Sequence, residues 1–292
     1  MSEPDLLFTV RNSFYLGAFQ GAIAEASDLE GLSEAAKTER DTFVYRSWIE
    51  LGSYELVIKE VDRSSPQALQ AVKLLAQYLG KKLDKEQALA TVADWLADPT
   101  CASNATTAVV AGTIYISEED YVAALKACHH GSSLEMMALC VQIYLKMDRV
   151  DQAEKQLNAM SSKDDDAILT QLATAWVDLY LGGAKVSEAL VIFQELQEKY
   201  SGTVRILNGT ALCQMRQNQW QDAESTLQEA YEKDPKHPET LANLITVCLH
   251  LSKNTARYTS QLTTQAPQHP SVRQAELAAE AFQRAADSFV AS

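Results

Sequence analysis

Histidine and cysteine are the residue types in this chain best suited to bind a metal or act as a nucleophile. No histidine lies in an H-E-x-x-H motif or near cysteines at metal-ligand spacing. His129 and His130 precede Gly131, where imidazole groups can interact with the last carbonyls of a helix. We therefore predict no metal site and no cofactor. The five histidines are His129, His130, His237, His250 and His269.

The five cysteines are odd in number, form no C-x-x-C pair and have apolar neighbours, as in the string MMALCVQIY. This pattern predicts buried free thiols in a reducing compartment rather than disulfides. The cysteines are Cys101, Cys128, Cys140, Cys213 and Cys248.

Motifs for calcium binding, phosphate binding and hydrolysis are missing from the sequence. The run Asp164–Asp166 lacks the alternating spacing, the glycine and the final glutamate of a calcium loop. Gly182 and Gly183 are not followed by the Lys-Ser/Thr of a phosphate-binding loop, and no G-x-S-x-G occurs. We predict no catalytic residue and no enzyme activity.

Charge and composition narrow the class of protein further. The 39 acidic residues outnumber the 25 basic ones, so the net charge of −14 disfavours nucleic acid and direct adhesion to anionic lipid. The longest uncharged apolar stretch, residues 105–116, is too short to span a membrane, and no secretory signal is visible. The missing signal and the reduced cysteines predict a cytoplasmic protein. With only 11 glycines and 7 prolines, the chain is expected to be all-α.

A helical repeat positions the remaining residues. Trp220 is followed by Ala223, Leu227, Ala230 and Pro235, in an order typical of the second helix of a tetratricopeptide repeat. Similar patterns occupy the stretches 3–34, 38–65, 69–98, 105–131, 134–167, 170–203, 204–237 and 238–251.

These patterns predict a tetratricopeptide-like, right-handed α-solenoid of about eight helical hairpins. It forms one domain across residues 1–292, with the clearest repeats at 134–237. After residue 253 we predict irregular C-terminal helices, whose pairing the pattern leaves open, and a last amphipathic stretch from about Val272 to Val290.

Solenoids bind partners on the concave surface formed by the first helix of each repeat. Polar first-helix residues that the hairpins do not need for packing are therefore the candidate contacts. Two of them, Asn208 and Asn243, are 35 residues apart and could instead form a ladder between repeats. The predicted partner-binding residues are Gln142, Gln171, Thr174, Asp178, Asn208, Arg216, Asn243 and Thr246.

Strings along almost the whole chain resemble the epsilon subunit family of coatomer, the coat protein I (COPI) complex of Golgi-to-endoplasmic-reticulum vesicles. Residues 81–104 and the tail after Lys253 fit less well. The matching strings are FYLGAFQ (14–20), ERDTFVYR (39–46), LQAVKLLAQYL (69–79), SLEMMALCVQIYLKMDRVDQA (133–153), LTQLATAWVDL with Gly182-Gly183, LNG (207–209), W-x-x-A-E (220–224) and HPETLANL (237–244).

The resemblance implies a non-catalytic coat subunit that binds and stabilises the C-terminal domain of the alpha subunit in a one-to-one heterodimer. Its solenoid would curl around a projecting segment of that partner and reach the other subunits through it. By the same resemblance it would be cytoplasmic and peripheral on Golgi membranes and COPI-coated vesicles, in retrograde Golgi-to-ER and intra-Golgi transport.

Two alternatives come from other classes of protein. A chaperone adaptor would capture a C-terminal carboxylate with Lys, Asn and Arg side chains. Arg205, Asn208 and Arg216 fit that pattern, but Glu135, Gln171 and Glu239 stand where its lysines are needed. An enzyme built in a helical solenoid lacks an acid, a base and a nucleophile at recognisable spacing.

Overall fold

The computed structural model describes residues 5–129 and 131–290, and it is all-α: every regular element among these residues is a helix. The chain divides into two compact units, Met1–Leu181 and Gly182–Ser292. That residues 1–292 form a single domain stays a prediction.

Unit 1 contains helices whose bounds agree closely with the predicted repeats from 3–34 to 134–167. It ends with the first helix of the predicted repeat 170–203, whose second helix belongs to unit 2. The helices of its described residues are α1 (Phe8–Leu16), α2 (Phe19–Ser27), α3 (Glu34–Glu50), α4 (Tyr54–Glu60), α5 (Gln67–Leu79), α6 (Lys85–Ala97), α7 (Pro99–Ala102), α8 (Ala105–Ser117), α9 (Tyr121–Cys128), α10 (Leu134–Lys146), α11 (Val150–Lys163) and α12 (Ile168–Leu181).

Unit 2 continues the pattern with six helices among its described residues. Two of them lie after residue 253, where irregular helices are predicted, and the first of these two packs against the helix before it. The six described helices are α13 (Lys185–Tyr200), α14 (Val204–Arg216), α15 (Trp220–Lys233), α16 (Pro238–His250), α17 (Ala256–Gln265) and α18 (Pro270–Val290).

Short polar residues start several of these helices. The hydroxyl of Ser133 accepts a hydrogen bond from the backbone N–H of Met136 at 3.2 Å and so caps α10. Asn104 caps α8 and Thr203 caps α14 in the same way. Each cap satisfies a backbone donor that the first turn of a helix leaves unpaired.

The first helices of unit 1 form a row that closes on itself. In the order α1, α3, α5, α8, α10 and α12, each helix contacts the next one, and α12 contacts α1. Tyr15 on α1 packs both against the aromatic cluster of Phe14 and Phe43 and against the core between α10 and α12. The sequence did not predict this closure, because it depends on contacts between the two ends of the row.

In unit 2, small residues let neighbouring helices approach closely. Ala211 of α14 and Ala223 of α15 are both fully buried in one core with Leu227 and Leu244. Gly209 lies against Phe193 of α13, and a Cβ added at residue 209 would come within 2.5 Å of the phenyl ring. The register that the alanine spacing predicted is therefore the register of the fold.

Candidate partner-binding surfaces

A buried ionic cluster joins three first helices of unit 1. The guanidinium of Arg46 on α3 donates a hydrogen bond to the carboxylate of Glu135, in the first turn of α10. The same guanidinium lies 4.6 Å from the centre of the Phe14 ring on α1. The side chains of Arg46 and Glu135 are only 13% and 20% exposed, so water screens the pair little.

The titration of the cluster follows from this burial. Burial, together with the nearby charge of Glu135, raises the pKa of Tyr15 well above its usual value, so the phenol stays neutral. Burial alone would lower the pKa of Arg46, but the attraction of Glu135 outweighs it and the pKa rises. The cluster therefore holds α1, α3 and α10 together with an intact ion pair.

The predicted contact residues of unit 1 differ in exposure. Gln142 on α10 is exposed, and Gln171 and Thr174 on α12 are half-buried. The hydroxyl of Thr174 donates to the carbonyl of Thr170 at 2.9 Å. Asp178 is only 5% exposed, and the expectation that its carboxylate lies on an open surface is wrong, because the packing of α12 covers it.

Two predicted contact residues of unit 2 form the ladder that was the alternative interpretation. The side-chain amide of Asn243 on α16 donates to the carbonyl oxygen of Asn208 on α14 at 3.0 Å. The amide of Asn208 donates in turn to the hydroxyl of Thr240 at 2.7 Å and to the carbonyl of Val204 at 2.8 Å. Asn208 is 6% exposed, so it joins two repeats rather than facing an open surface.

The other two predicted residues of unit 2, Arg216 and Thr246, are exposed on α14 and α16. Arg216 follows Leu212, which is 38% exposed, and Thr246 precedes Leu249, which is 63% exposed. The spacings 212 to 216 and 246 to 249 place each pair on one side of its helix. We call Leu212, Arg216, Thr246 and Leu249 the α14–α16 surface.

Sequence reasoning missed the apolar half of this surface. It selected only polar residues of the first helices, so the exposed Leu212 and Leu249 were left out. An apolar centre beside a charged side chain is typical of protein interfaces.

The histidines have structural surroundings. His237 caps α16 by accepting from the N–H of Thr240 at 3.3 Å, and His250 stacks on Trp220 with ring centres 3.7 Å apart. His129 is the C-cap residue of α9, as predicted, while His130 lies outside the described residues. Within the described part of the chain, no three His, Cys, Asp or Glu side chains come together as metal ligands.

The cysteines are free thiols, and burial raises the pKa of most of them. Cys128, Cys140, Cys213 and Cys248 are buried, and Cys101 is half-buried. Burial raises the pKa of Cys128 and of Cys213 to about 12. The prediction of buried free thiols is confirmed for four of the five.

Two acidic residues that interrupt the chaperone-clamp pattern have partners of their own. Glu135 binds Arg46, and the carboxylate of Glu239 lies 3.2 Å from Nε2 of His269. Neither position offers the cation with which a clamp would hold a peptide carboxylate. Separately, no helix in the described ranges is long and apolar enough to cross a membrane.

Comparison with known proteins gives a consistent result along the chain. The profile of the family described as "Coatomer epsilon subunit" matches residues 3–290. Coatomer subunit epsilon-1 of Arabidopsis thaliana is 49% identical over 289 residues, which cover 99% of each chain. Coatomer subunit epsilon-1 of Oryza sativa subsp. japonica is 50% identical over 285 residues, which cover 98% of each chain.

Among solved structures, a tetratricopeptide repeat protein from Parabacteroides merdae superposes with a TM-score of 0.60 at 12% sequence identity. The superposition covers 92% of this chain and 95% of that protein. At this identity the similarity shows the fold, and it confirms the prediction of a tetratricopeptide-like solenoid.

Proposed function

Since this chain belongs to the coatomer epsilon subunit family, we propose that it acts in the COPI coat by binding and stabilising the C-terminal domain of the alpha subunit. The observation that carries the proposal is the match to the family along residues 3–290, which is almost the whole chain. Work together with other coatomer subunits follows from membership of the family. The choice of the alpha subunit and the one-to-one stoichiometry are the proposal.

The α14–α16 surface supports binding rather than catalysis. Leu212 and Leu249 expose apolar side chains that would lose contact with water on binding, and Arg216 adds a charge that can pair with an acidic group of the partner. The Asn208–Asn243 ladder holds α14 and α16 in place before binding occurs. A surface organised in advance loses little conformational entropy on association, which favours affinity.

A solenoid of this kind would curl around a projecting segment of the alpha subunit. In unit 1 the first helices form a closed row in which Arg46 and Glu135 join α3 to α10, so their exposed side chains are organised before binding. The predicted contacts Gln142, Gln171 and Thr174 remain candidates there, since their side chains are exposed or half-buried.

The proposed place of action is the cytoplasmic face of Golgi membranes and COPI-coated vesicles, in retrograde Golgi-to-ER and intra-Golgi transport. The net charge of −14 opposes direct contact with anionic lipid. The protein is therefore peripheral, and its partners hold it at the membrane. No enzyme activity forms part of the proposal.

A pull-down from cytosol tests the choice of partner. We expect tagged chain to retain the alpha subunit, and Leu249→Glu to reduce the retained amount at least tenfold, because it places a charge at the centre of the apolar contact. The matched control is Val191→Glu, since Val191 on α13 is 51% exposed and also belongs to unit 2. Equal retention by both variants would exclude the α14–α16 surface, and retention of no coatomer subunit would overturn the proposed function.

A further inference from the structure

The last helix of unit 2, α18, leaves the solenoid after its first turn. Val272 is buried with Leu241, Ala242 and Leu262, but the following residues 273–285 and 287–289 are all exposed. A helix of 21 residues is about 30 Å long. Most of that length therefore projects into solvent.

The exposed part of α18 has an apolar side with a regular spacing. Two phenylalanines and four small residues recur along this side at intervals of three and four residues. This is the spacing of a helix that pairs with another helix. Phe282 is 75% exposed and Phe289 is 83% exposed. We call this side, formed by Ser271, Ala275, Ala278, Phe282, Ala285 and Phe289, the α18 seam.

A long helix with one apolar side gains most of its stability from packing of that side. Three surfaces could cover the seam: lipid, another part of the chain's assembly, or a second copy of α18. The polar side of α18 carries Arg273 and Arg284 against Glu276, Glu280 and Asp287. Helices that lie on membranes have an excess of basic residues there, so the charges disfavour lipid.

The order of large and small residues along the seam makes it complementary to itself. In an antiparallel pair of α18 helices centred on residue 280, Phe282 of one copy lies opposite Ala278 of the other. The same register places Phe289 opposite Ser271 and Ala275 opposite Ala285. Every phenyl ring thus meets a small residue, as packing of side chains into the gaps of a facing helix requires.

The residues beside the seam do not oppose this pairing. One edge is formed by Gln274, Ala281 and Ser288, and the other by Ala279 and Ala286, so neither edge carries a charge. An antiparallel pair also places the remaining parts of the two acidic chains at opposite ends of the paired helices. Their separation of about 30 Å exceeds the screening length of about 8 Å at physiological salt.

We propose that α18 is a homodimerisation helix, which pairs in antiparallel orientation with α18 of a second copy of this chain. Four phenylalanines bury on the order of 600–1,000 Å² in total, which is below the size of a typical stable interface. The dimer is therefore weak. It would link two copies only where the chain is concentrated, as on an assembling coat.

The first test measures the mass of the full chain by sedimentation between 1 and 200 µM. We expect a monomer at the low end and a dimer at the high end, and Phe282→Glu to abolish the dimer. The control is Phe8→Glu, because Phe8 lies on α1 in unit 1 and is 56% exposed. A monomer at every concentration, or equal loss of the dimer in both variants, would overturn the proposal.

The second test measures orientation by disulfide formation in a Cys101→Ser background. Antiparallel pairing predicts that Ala275→Cys and Ala285→Cys each stay uncrosslinked alone and form a disulfide when the two variants are mixed. Disulfides within each single variant would show parallel pairing and overturn the proposed orientation. Binding of the monomer to anionic vesicles, lost in Phe282→Glu, would overturn the proposal in favour of lipid.

These tests are independent of the alpha subunit. We expect Phe282→Glu to retain the alpha subunit in the pull-down as the unmodified chain does. If the chain does not dimerise but retains the alpha subunit, only the α18 proposal is overturned. If the chain dimerises but does not retain the alpha subunit, only the proposed function is overturned.

Discussion

The two units are built from the same helical repeat, but their rows of helices end differently. In unit 1 the row of first helices closes, since α12 returns to α1 and the ion pair of Arg46 and Glu135 joins α3 to α10. In unit 2 the corresponding helices α14 and α16 are joined by neutral amides, and α18 then projects away. The repeat therefore sets the pairing of neighbours, while a few distant contacts decide whether a row closes.

This difference separates two kinds of stability. Contacts within and between adjacent pairs, such as those of Ala223, are present in both units and are apolar. The closure of unit 1 depends on a buried ion pair and on Tyr15, whose neighbours lie far away in the sequence. We expect mutations that disrupt packing between adjacent helices to unfold a unit. Mutations that disrupt the ion pair or Tyr15 should instead open the row of first helices in unit 1.

The largest expected effect is the loss of packing between adjacent helices in unit 2. Ala223→Glu places a charge at a fully buried position, and we expect it to reduce the free energy of unfolding by more than about 4 kcal/mol. The control is Ser225→Glu, at an exposed position of the same helix. Thermal melting checks both variants, and an unchanged melting temperature for Ala223→Glu would disprove the repeat register.

Breaking the cluster of unit 1 should have the next largest effect. Arg46→Met leaves the carboxylate of Glu135 without its cation, and we expect a loss of about 3 kcal/mol in urea unfolding. The double variant Arg46→Met with Glu135→Leu should recover most of this loss, because neither charge is then buried. Lys37→Met, which removes an exposed ion pair with Glu34, should leave stability unchanged. A loss in the double variant as large as in the single one would contradict the role given to the ion pair.

Removing the amide ladder of unit 2 should cost less. Asn208→Ala leaves Thr240 and Asn243 each without one hydrogen-bond partner, and we expect a loss of about 2 kcal/mol by the same unfolding measurement. Asn158→Ala, on an exposed position of α11, serves as the control and should cost nothing. If Asn208→Ala lowers the free energy of unfolding more than Arg46→Met does, then the two units do not differ in the way proposed.

The smallest effect concerns reactivity rather than stability. The thiolate is the reactive form of cysteine, and burial raises the pKa of Cys128 to about 12 and that of Cys140 to about 11. We expect a maleimide at pH 7.5 to modify Cys101 first in the native chain, and all five cysteines after unfolding in urea. Mass spectrometry of the native protein checks this, and rapid modification of Cys128 would show that unit 1 opens readily.

Local patterns in the sequence predicted the helical pairs well, because alanine spacing and capping residues act over one repeat. They also indicated the α18 helix and the alternative ladder of Asn208 and Asn243. The packing of α17 against α16 was left open, since the residues of α17 follow the point where the repeat pattern fades. The open position of Asp178 was predicted incorrectly, because the spacing that places a residue on a helix does not say which neighbours cover it.

The closure of unit 1 shows the same limit on a larger scale. Arg46 and Glu135 are 89 residues apart, and each alone is a plausible surface residue of a helix. Only the fold brings them together. For the candidate surface, the sequence indicated the charged and polar members, Arg216 and Thr246, but only the fold shows that the adjacent leucines are exposed.

The most direct test of the account is calorimetry of the full chain with the C-terminal domain of the alpha subunit. Titrations at two temperatures detect binding even if one enthalpy is near zero, because burial of apolar surface changes the heat capacity. We predict a one-to-one complex with a dissociation constant at or below the micromolar range. No heat at either temperature, at micromolar concentrations of both proteins, would contradict the proposed function.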